Sequence, residues 1–345
     1  MRRPALALLL AFTVAACGTA GSEGTVPDTS ASTTAGERQL VVYSGRSAEL
    51  VEPLIEQFED ATGIDVEVRY AGSGELATTL LQEGDQSPAD VFFSQDPAYA
   101  GAVARAGLLR ELPADVLSQV PARFSDEEGR WVGITARNRV FVYNPDLVAE
   151  ADLPADIWAL TDPVWQGRLG IAPTNASFVA FVAGMLLTDG EERTLQWLEG
   201  IAANDPVIFD GNSPIVAAVD AGDVAGGLVN HYYLLRLQAE QGAATARNHF
   251  FQTADPGALV LPTGVGVLTT AAHPDEALEF VRFLLSEPAQ SFFLEEVLEY
   301  PLVEGIGTPS GQVPLADLPT PDIALSDLAT VLDRATELIS EAGLT

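Results

Sequence analysis

From Gln39 onward, short β-branched runs are each handed on to a helical pattern, and this alternation limits the fold more than any other feature of the sequence. Gln39–Tyr43 is a strand run. The stretch 48–61 follows with Leu50, Val51, Leu54, Ile55 and Phe58 at helical spacing and Gly63 as its stop. Ile64–Tyr70 and Ala89–Phe93 read as strands that lead into helices over 75–83 and up to Gly107. Trp131–Thr135 and Arg139–Tyr143 read as two separate strands. Further on, strands at 168–172, 207–209 and 226–229 feed helices at 178–187, 215–221 and 234–241, with another helix over 191–204. Strands at 258–261 and 264–268 precede helical stretches at 274–285, 288–297 and 323–342. The pattern predicts an α/β architecture with mostly parallel sheets. No internal repeat at a fixed period is visible.

Five strand-to-helix junctions share a design: Ser44-Gly45-Arg46-Ser47, Ser94-Gln95-Asp96-Pro97, Thr174-Asn175-Ala176-Ser177, Asn212-Ser213-Pro214 and Asn230-His231-Tyr232-Tyr233. Ser, Asn and Asp are favoured helix caps and Pro is preorganised for the first helical position, so each alone reads as a cap. Ligands of open α/β sheets sit off the carboxyl ends of strands, where helix N-termini present free N–H groups. Five polar clusters at such ends predict a site for a small ligand of anionic character.

Composition narrows the function. The chain has 49 acidic residues and 17 basic ones, a formal net charge of −32. All the basic residues are arginine. Such a balance argues against nucleic-acid binding, which needs a basic face, and against a basic patch on anionic lipid. Acid with no lysine suits a high-salt habitat or a GC-rich genome. The single cysteine excludes an intramolecular disulfide and a zinc cluster of several thiolates. That cysteine follows Met-Arg-Arg and an apolar run from Pro4 to Ala16, a leader too short to span a bilayer as a mature helix. Val14-Ala15-Ala16-Cys17 resembles the bacterial lipobox, which implies a signal peptide over 1–16 and a lipidated Cys17. The Gly/Ser/Thr-rich stretch after it reads as a flexible tether, giving 17–38 as anchor and linker. The expected location is the outer face of the cytoplasmic membrane, attached by lipid alone.

Tyr232 and Tyr233 are the sharpest chemical feature. At the start of a helix, adjacent side chains lie about 100° apart and two phenols can converge on one point. Asn230 reads as the cap of that helix. A hard, highly charged cation can displace a phenol proton, and a pair of phenolates suits Fe(III) far better than zinc or copper. Taken alone, two adjacent tyrosines are also ordinary packing residues. His231 is expected to point aside, His249 and His273 to lie at the surface, and Tyr43 and Tyr143 to pack along strands. No nucleophile elbow, phosphate loop of the Gly-x-x-x-x-Gly-Lys type or His-Glu-x-x-His motif is present in the sequence, so no enzyme activity is expected.

An ordered set of motifs then carries a resemblance. Leu40-Val-Val-Tyr-Ser-Gly-Arg46, Phe58-Glu-Asp-Ala-Thr-Gly-Ile64, Ser87 to Gln95, Arg137 to Asn144, Ala172 to Phe178, Gly211 to Ser213, Leu228 to Tyr233, Asp255 to Val260 and Glu299 to Leu302 are similar, in order, to the periplasmic ferric-iron-binding proteins. These are the solute-binding components of ABC importers. The resemblance implies a type II periplasmic-binding-protein fold, with two lobes joined by crossover strands near Arg137–Val140 and Ala258–Leu261. One lobe would comprise 39–137 with 260–308, the other 138–259 with 309–345. It implies Tyr232 and Tyr233 as iron ligands, and a pocket of Asn175, Ala176, Ser177, Asn212 and Asn230 for a synergistic anion. Ser44, Gly45, Arg46 and Arg137 are further candidates for steadying that anion.

The chain departs from the family in having Ser47 where many relatives carry a histidine ligand and Gln95 where they carry a glutamate. Ser177 stands where some carry a third tyrosine. Gln95, Asp96 and Ser47 remain candidates for the metal's surroundings, with Asp96 equally a cap before Pro97. Two phenolates leave one charge of Fe(III) unbalanced, which carbonate, phosphate or citrate would supply. The implied protein is a monomer serving an ABC permease. The same fold also hosts phosphate, phosphorylated sugars, thiamine and polyamines, so the fold alone does not choose the solute.

Overall fold

A computed structural model describes residues 38–345; the expectations for the leader and Cys17 lie outside these residues. Ten strands join in one sheet: β1 (Gln39–Ser44), β2 (Asp65–Tyr70), β3 (Val91–Ser94), β4 (Val132–Tyr143), β5 (Leu169–Ile171), β6 (Val207–Ile208), β7 (Gly226–Asn230), β8 (Arg247–His249), β9 (Val260–Val267) and β10 (Tyr300–Pro301). Around it lie helices α1 (Ala48–Thr62), α2 (Ser73–Glu83), α3 (Pro97–Arg105), α4 (Ala114–Leu117), α5 (Ala176–Asp189), α6 (Glu191–Ala203), α7 (Asn212–Ala221), α8 (Tyr232–Gln241), α9 (Pro274–Leu284), α10 (Glu287–Phe292) and α11 (Leu332–Glu341). The architecture is two-lobed α/β, as expected. No helix among the described residues is long and apolar enough to cross a membrane.

Strand order is β2-β1-β3-β9-β4-β7-β5-β6, with β10 and β8 also on β4. The outer parts are parallel: β1 with β2 and β3, and β5 with β6 and β7. The middle is antiparallel, because β9 returns between β3 and β4 and β4 runs against β7, β8 and β10. The sheet is therefore mixed rather than mostly parallel.

Two expected strand pairs are each one strand. Arg137, Asn138 and Arg139 looked like a polar break, yet β4 passes straight through them. All three are buried and hydrogen-bonded by side chain, so the strand survives without an apolar pattern. β4 pairs with β9 as far as Asn138 and with β7 from Arg139 onward, so these residues carry the chain from one half of the sheet to the other. Pro262 and Thr263 similarly sit inside β9.

Local signals explain the rest. α1 buries Val51, Leu54, Ile55 and Phe58 and stops at Gly63, whose φ of 69° is the left-handed value glycine tolerates. A main core runs through the helices and both halves of the sheet. A smaller cluster under α7 and α8 gathers Val140, Val142, Ile215, Val219 and Leu234. The turn Leu325–Thr330 lies against α3, where Arg105 reaches Ser326 and Asp327, while α11 packs on α5 and α6.

Candidate metal and anion centre

Tyr232 and Tyr233 open α8 directly after β7. Their rings stack at 4.3 Å between centroids with 26° between planes, which sets both phenols on the same side of the helix start. Tyr232 is buried and Tyr233 partly exposed. Burial, with the neighbouring Tyr233 and Glu299, pushes the Tyr232 phenol well above its ordinary value, against the opposing pull of Arg46 and Arg137. The phenol is therefore neutral at neutral pH.

Three buried arginines surround the pair. Arg46 follows the turn after β1, where Ser44 Oγ accepts from Arg46 N and donates to Arg46 O. Gly45 is required in that turn: a Cβ there would lie 2.0 Å from Ser73 Oγ, the atom that accepts from Gln95 N. Arg46 Nη1 donates to Glu299 Oε1 and Gln95 Oε1, each at 2.8 Å. Glu299 also accepts from Thr135 Oγ1 at 2.5 Å. Burial by itself would raise the Glu299 carboxyl. The Arg46 and Arg137 guanidiniums and the bonds from Arg46 and Thr135 outweigh it and hold the carboxyl below its ordinary value.

Arg137 Nη2 meets Asp96 Oδ2 at 3.0 Å, with both side chains buried. The other Asp96 oxygen caps α3 by accepting from Ala98 N at 3.1 Å. Both carboxylate oxygens are thus engaged inside the protein. Burial nonetheless dominates and raises the Asp96 carboxyl above its ordinary value.

Arg139 projects from the same face of β4 as Arg137, two residues on. Its Nη1 lies 3.1 Å from Asn230 Oδ1, 3.3 Å from Ser177 Oγ and 3.4 Å from Asn212 Oδ1, and its Nη2 donates to Leu228 O at 3.0 Å. Burial lowers it to about 9, with Tyr233 and Tyr232 pulling the other way, so it is charged at neutral pH. Asn175 caps α5: its Oδ1 accepts from Ser177 N and Ser177 Oγ, and also from Asn212 Nδ2. Asn175, Ser177, Asn212 and Asn230 therefore form one hydrogen-bonded group, with Ala176 at the first position of α5.

Several expectations change. Asn230 does not cap α8, because its side-chain oxygen faces Arg139; His231 takes the cap position without a side-chain cap bond. Gly211 rather than Asn212 precedes α7. His231 is buried, its Nδ1 accepting from Asn138 N at 3.3 Å and its ring lying 4.6 Å from Tyr300. Burial lowers it to about 4. His249 and His273 are half-buried and held by Pro154 O and Asp90, not loose at the surface. Ser47 is the exposed residue before α1 and makes no side-chain cap bond. A surface cavity of about 960 Å³, edged by Asp126 and Arg130, contains none of these residues.

Arg139, Glu299, Thr135 and Ser73 were not singled out from sequence. Arg139 had a signal, since alternate residues of a strand share a face and Arg137 was already a candidate. Glu299 stood inside a recognised motif but had no visible partner, because Arg46 lies 253 residues away.

The sequence profile described as "Bacterial extracellular solute-binding protein" matches residues 44–291. The chain belongs to this family. Among curated relatives, this solute-binding protein is 35% identical over 315 residues to a Fe(3+)-binding periplasmic protein of Serratia marcescens, covering 89% of this chain and 91% of that one. Among solved structures, iron-bound HitA from Pseudomonas aeruginosa is 37% identical with a TM-score of 0.84, covering 89% of this chain and 99% of that one. A Trichodesmium protein in complex with iron and citrate is 26% identical with a TM-score of 0.78, covering 89% and 100%. The family is one of transport receptors and not of enzymes, and its members work in the periplasm or outside the cell.

Proposed function

We propose that this solute-binding protein captures Fe(III) on the phenolate oxygens of Tyr232 and Tyr233, together with an exogenous anion, and delivers it to the permease of an ABC importer. The observation that carries the reading is the stacked tyrosine pair beside three buried guanidiniums, in a chain whose relatives are named for ferric iron. A phenolate is a hard donor matched to a hard cation. The positive surroundings favour the phenolate once the metal has taken the proton's place.

Asn175 and Asn230, with the Ala176 amide, are the donors for the anion, while Ser177 and Asn212 donate to Asn175 Oδ1 and hold it in place; carbonate, phosphate and citrate all fit this chemistry. Asp96 serves Arg137 and the α3 cap, Gln95 serves Arg46, and Ser47 stays outside the coordination shell. Residues 39–137 with 260–308 form one lobe and 138–259 the other, while 309–345 passes from α3 of the first to α5 and α6 of the second, and the lobes close on the ligand as a monomer. Lipidation of Cys17 holds the protein at the outer face of the cytoplasmic membrane. Membrane partitioning of wild type against Cys17→Ser tests that part; equal partitioning of the two would end it.

For the ligand, the iron-free protein is mixed with ferric citrate and desalted. A visible phenolate-to-iron charge-transfer band that stays with the protein is expected. A colourless protein that retains phosphate or a phosphorylated sugar would replace iron with those solutes.

A further inference from the structure

The three guanidiniums near the tyrosines are not equivalent in charge. Arg46 is neutralised by Glu299 at 2.8 Å and Arg137 by Asp96 at 3.0 Å. Arg139 is as deeply buried, yet every group its nitrogens reach is uncharged: two amide oxygens, a hydroxyl and a backbone carbonyl. The absence of a carboxylate, and not its unpartnered Nε, sets it apart, since the Nε of Arg46 and of Arg137 also lack partners among the described residues. An isolated buried cation is costly and is normally paired.

The geometry also fixes two side-chain amides. A guanidinium carries only donors, so the Asn212 and Asn230 atoms facing it must be the carbonyl oxygens. The Asn230 NH2 group is thereby turned away from Arg139 and left to donate to something else. The face of Phe181 closes the far side of the guanidinium, 5.7 Å away.

We infer that Arg139 sets the charge of the co-bound anion and that the site selects a dianionic oxyanion over a monoanionic one. This rests on the iron reading above. Fe(III) with two phenolates carries one net positive charge, and Arg139 adds a second that no carboxylate among the described residues pairs with. A dianion brings the buried site to neutrality; a monoanion leaves a charge behind in a low-dielectric setting. Arg139 does so partly through Asn230, whose NH2 group it orients as a donor, while the Asn212 NH2 stays on Asn175 and Ser177. It acts as a positioning and charge-matching residue beside the metal ligands.

The test uses the full chain, ferric nitrilotriacetate as the iron source, and three anions that differ chiefly in charge. At pH about 8, above the second ionisation of both, phosphate and monomethyl phosphate are dianions, whereas dimethyl phosphate is a monoanion throughout. Iron retention against a competing chelator and the charge-transfer band are read for wild type, Arg139→Met and Arg139→Lys. In wild type, both dianions should hold iron about tenfold or more tighter than dimethyl phosphate, the scale of a charged hydrogen bond. In Arg139→Met that ratio should fall to about threefold or less, and Arg139→Lys should restore most of it by restoring the charge.

A folded Arg139→Met with the wild-type ratio overturns the inference and leaves the iron reading standing. If Arg139→Met does not fold, the wild-type series decides: equal retention with all three anions overturns it too. No band in wild type with any anion overturns the iron reading, and this inference with it.

Discussion

The two sides of the tyrosine pair handle buried positive charge in opposite ways. Toward β1 and β3, Arg46 and Arg137 each face a carboxylate, and the chain supplies its own neutralisation. Toward β5 and β7, Arg139 faces asparagines and a serine, and neutralisation is left open. The first side is finished in charge, each guanidinium paired with a carboxylate, although Arg46 Nε and Nη2 and Arg137 Nε have no hydrogen-bond partner among the described residues. On the second, no carboxylate among the described residues faces the guanidinium, and the anion inference rests on that difference. Equal burial thus leaves arginines unequal in charge, because the partner differs.

The largest effect that can break this contrast is removal of a carboxylate on the finished side. Glu299→Gln keeps the shape and leaves Arg46 buried and uncompensated, so stability should fall by about 3–5 kcal/mol in urea unfolding at neutral pH. The sign with pH is fixed. Glu299 is held below its ordinary value of 4.5, so its contribution is present above that pH and is lost as pH falls through the folded value. The gap between wild type and Glu299→Gln should therefore close on acidification. A gap that widens in acid would mean Glu299 is not the anion of this pair.

Asp96→Asn should cost somewhat less, about 2–4 kcal/mol, because asparagine keeps the α3 cap and only the charge opposite Arg137 is lost. An equal loss in Asp96→Ala and Asp96→Asn would fit the charge. A much smaller loss in Asp96→Asn would show that the cap, not the pair, is what matters.

On the unfinished side, Arg139→Met loses hydrogen bonds to neutral groups but strands no opposite charge. Its effect on the ligand-free protein should stay within about 1–2 kcal/mol by thermal unfolding. A loss as large as that of Glu299→Gln would make Arg139 another structural arginine and erase the contrast.

The smallest effect belongs to the surface. Arg236 on α8 bridges to Glu49 in the first turn of α1, which joins the tyrosine helix to the opposite half of the molecule. Glu49 is mostly exposed, so Glu49→Gln should change stability by less than about 1 kcal/mol. Iron dissociation measured by chelator chase should quicken only slightly.

Much of the fold was legible because helix and strand periods are local properties: α1 shows its apolar stripe and its glycine stop within fifteen residues. What escaped was of two kinds. Arg137 to Arg139 and Pro262 to Thr263 hid the continuity of β4 and β9, since buried polar residues break an apolar pattern without breaking a strand. β8 and β10 are two or three residues long and carry no period at all. At the site, the tyrosines and the asparagine group stood in recognisable junctions. The roles of Arg139 and Glu299 depend on partners 38 to 253 residues away, which a single sequence does not pair. Asn230 was misread as a cap because a cap is the local explanation for an asparagine before a helix, and a buried guanidinium overrode it.

The central claim is that two phenolates hold the iron, and a titration read in the visible region tests it most directly. Wild type, Tyr232→Phe and Tyr233→Phe, each checked for folding by circular dichroism, are titrated with ferric nitrilotriacetate in the presence of phosphate. Phenylalanine keeps the stacked ring and removes only the oxygen, so the fold should survive. The account predicts a charge-transfer band saturating at one iron per wild-type chain, and its loss or a fall of about a hundredfold or more in affinity in each variant. A band of undiminished strength and affinity in both folded variants would contradict it.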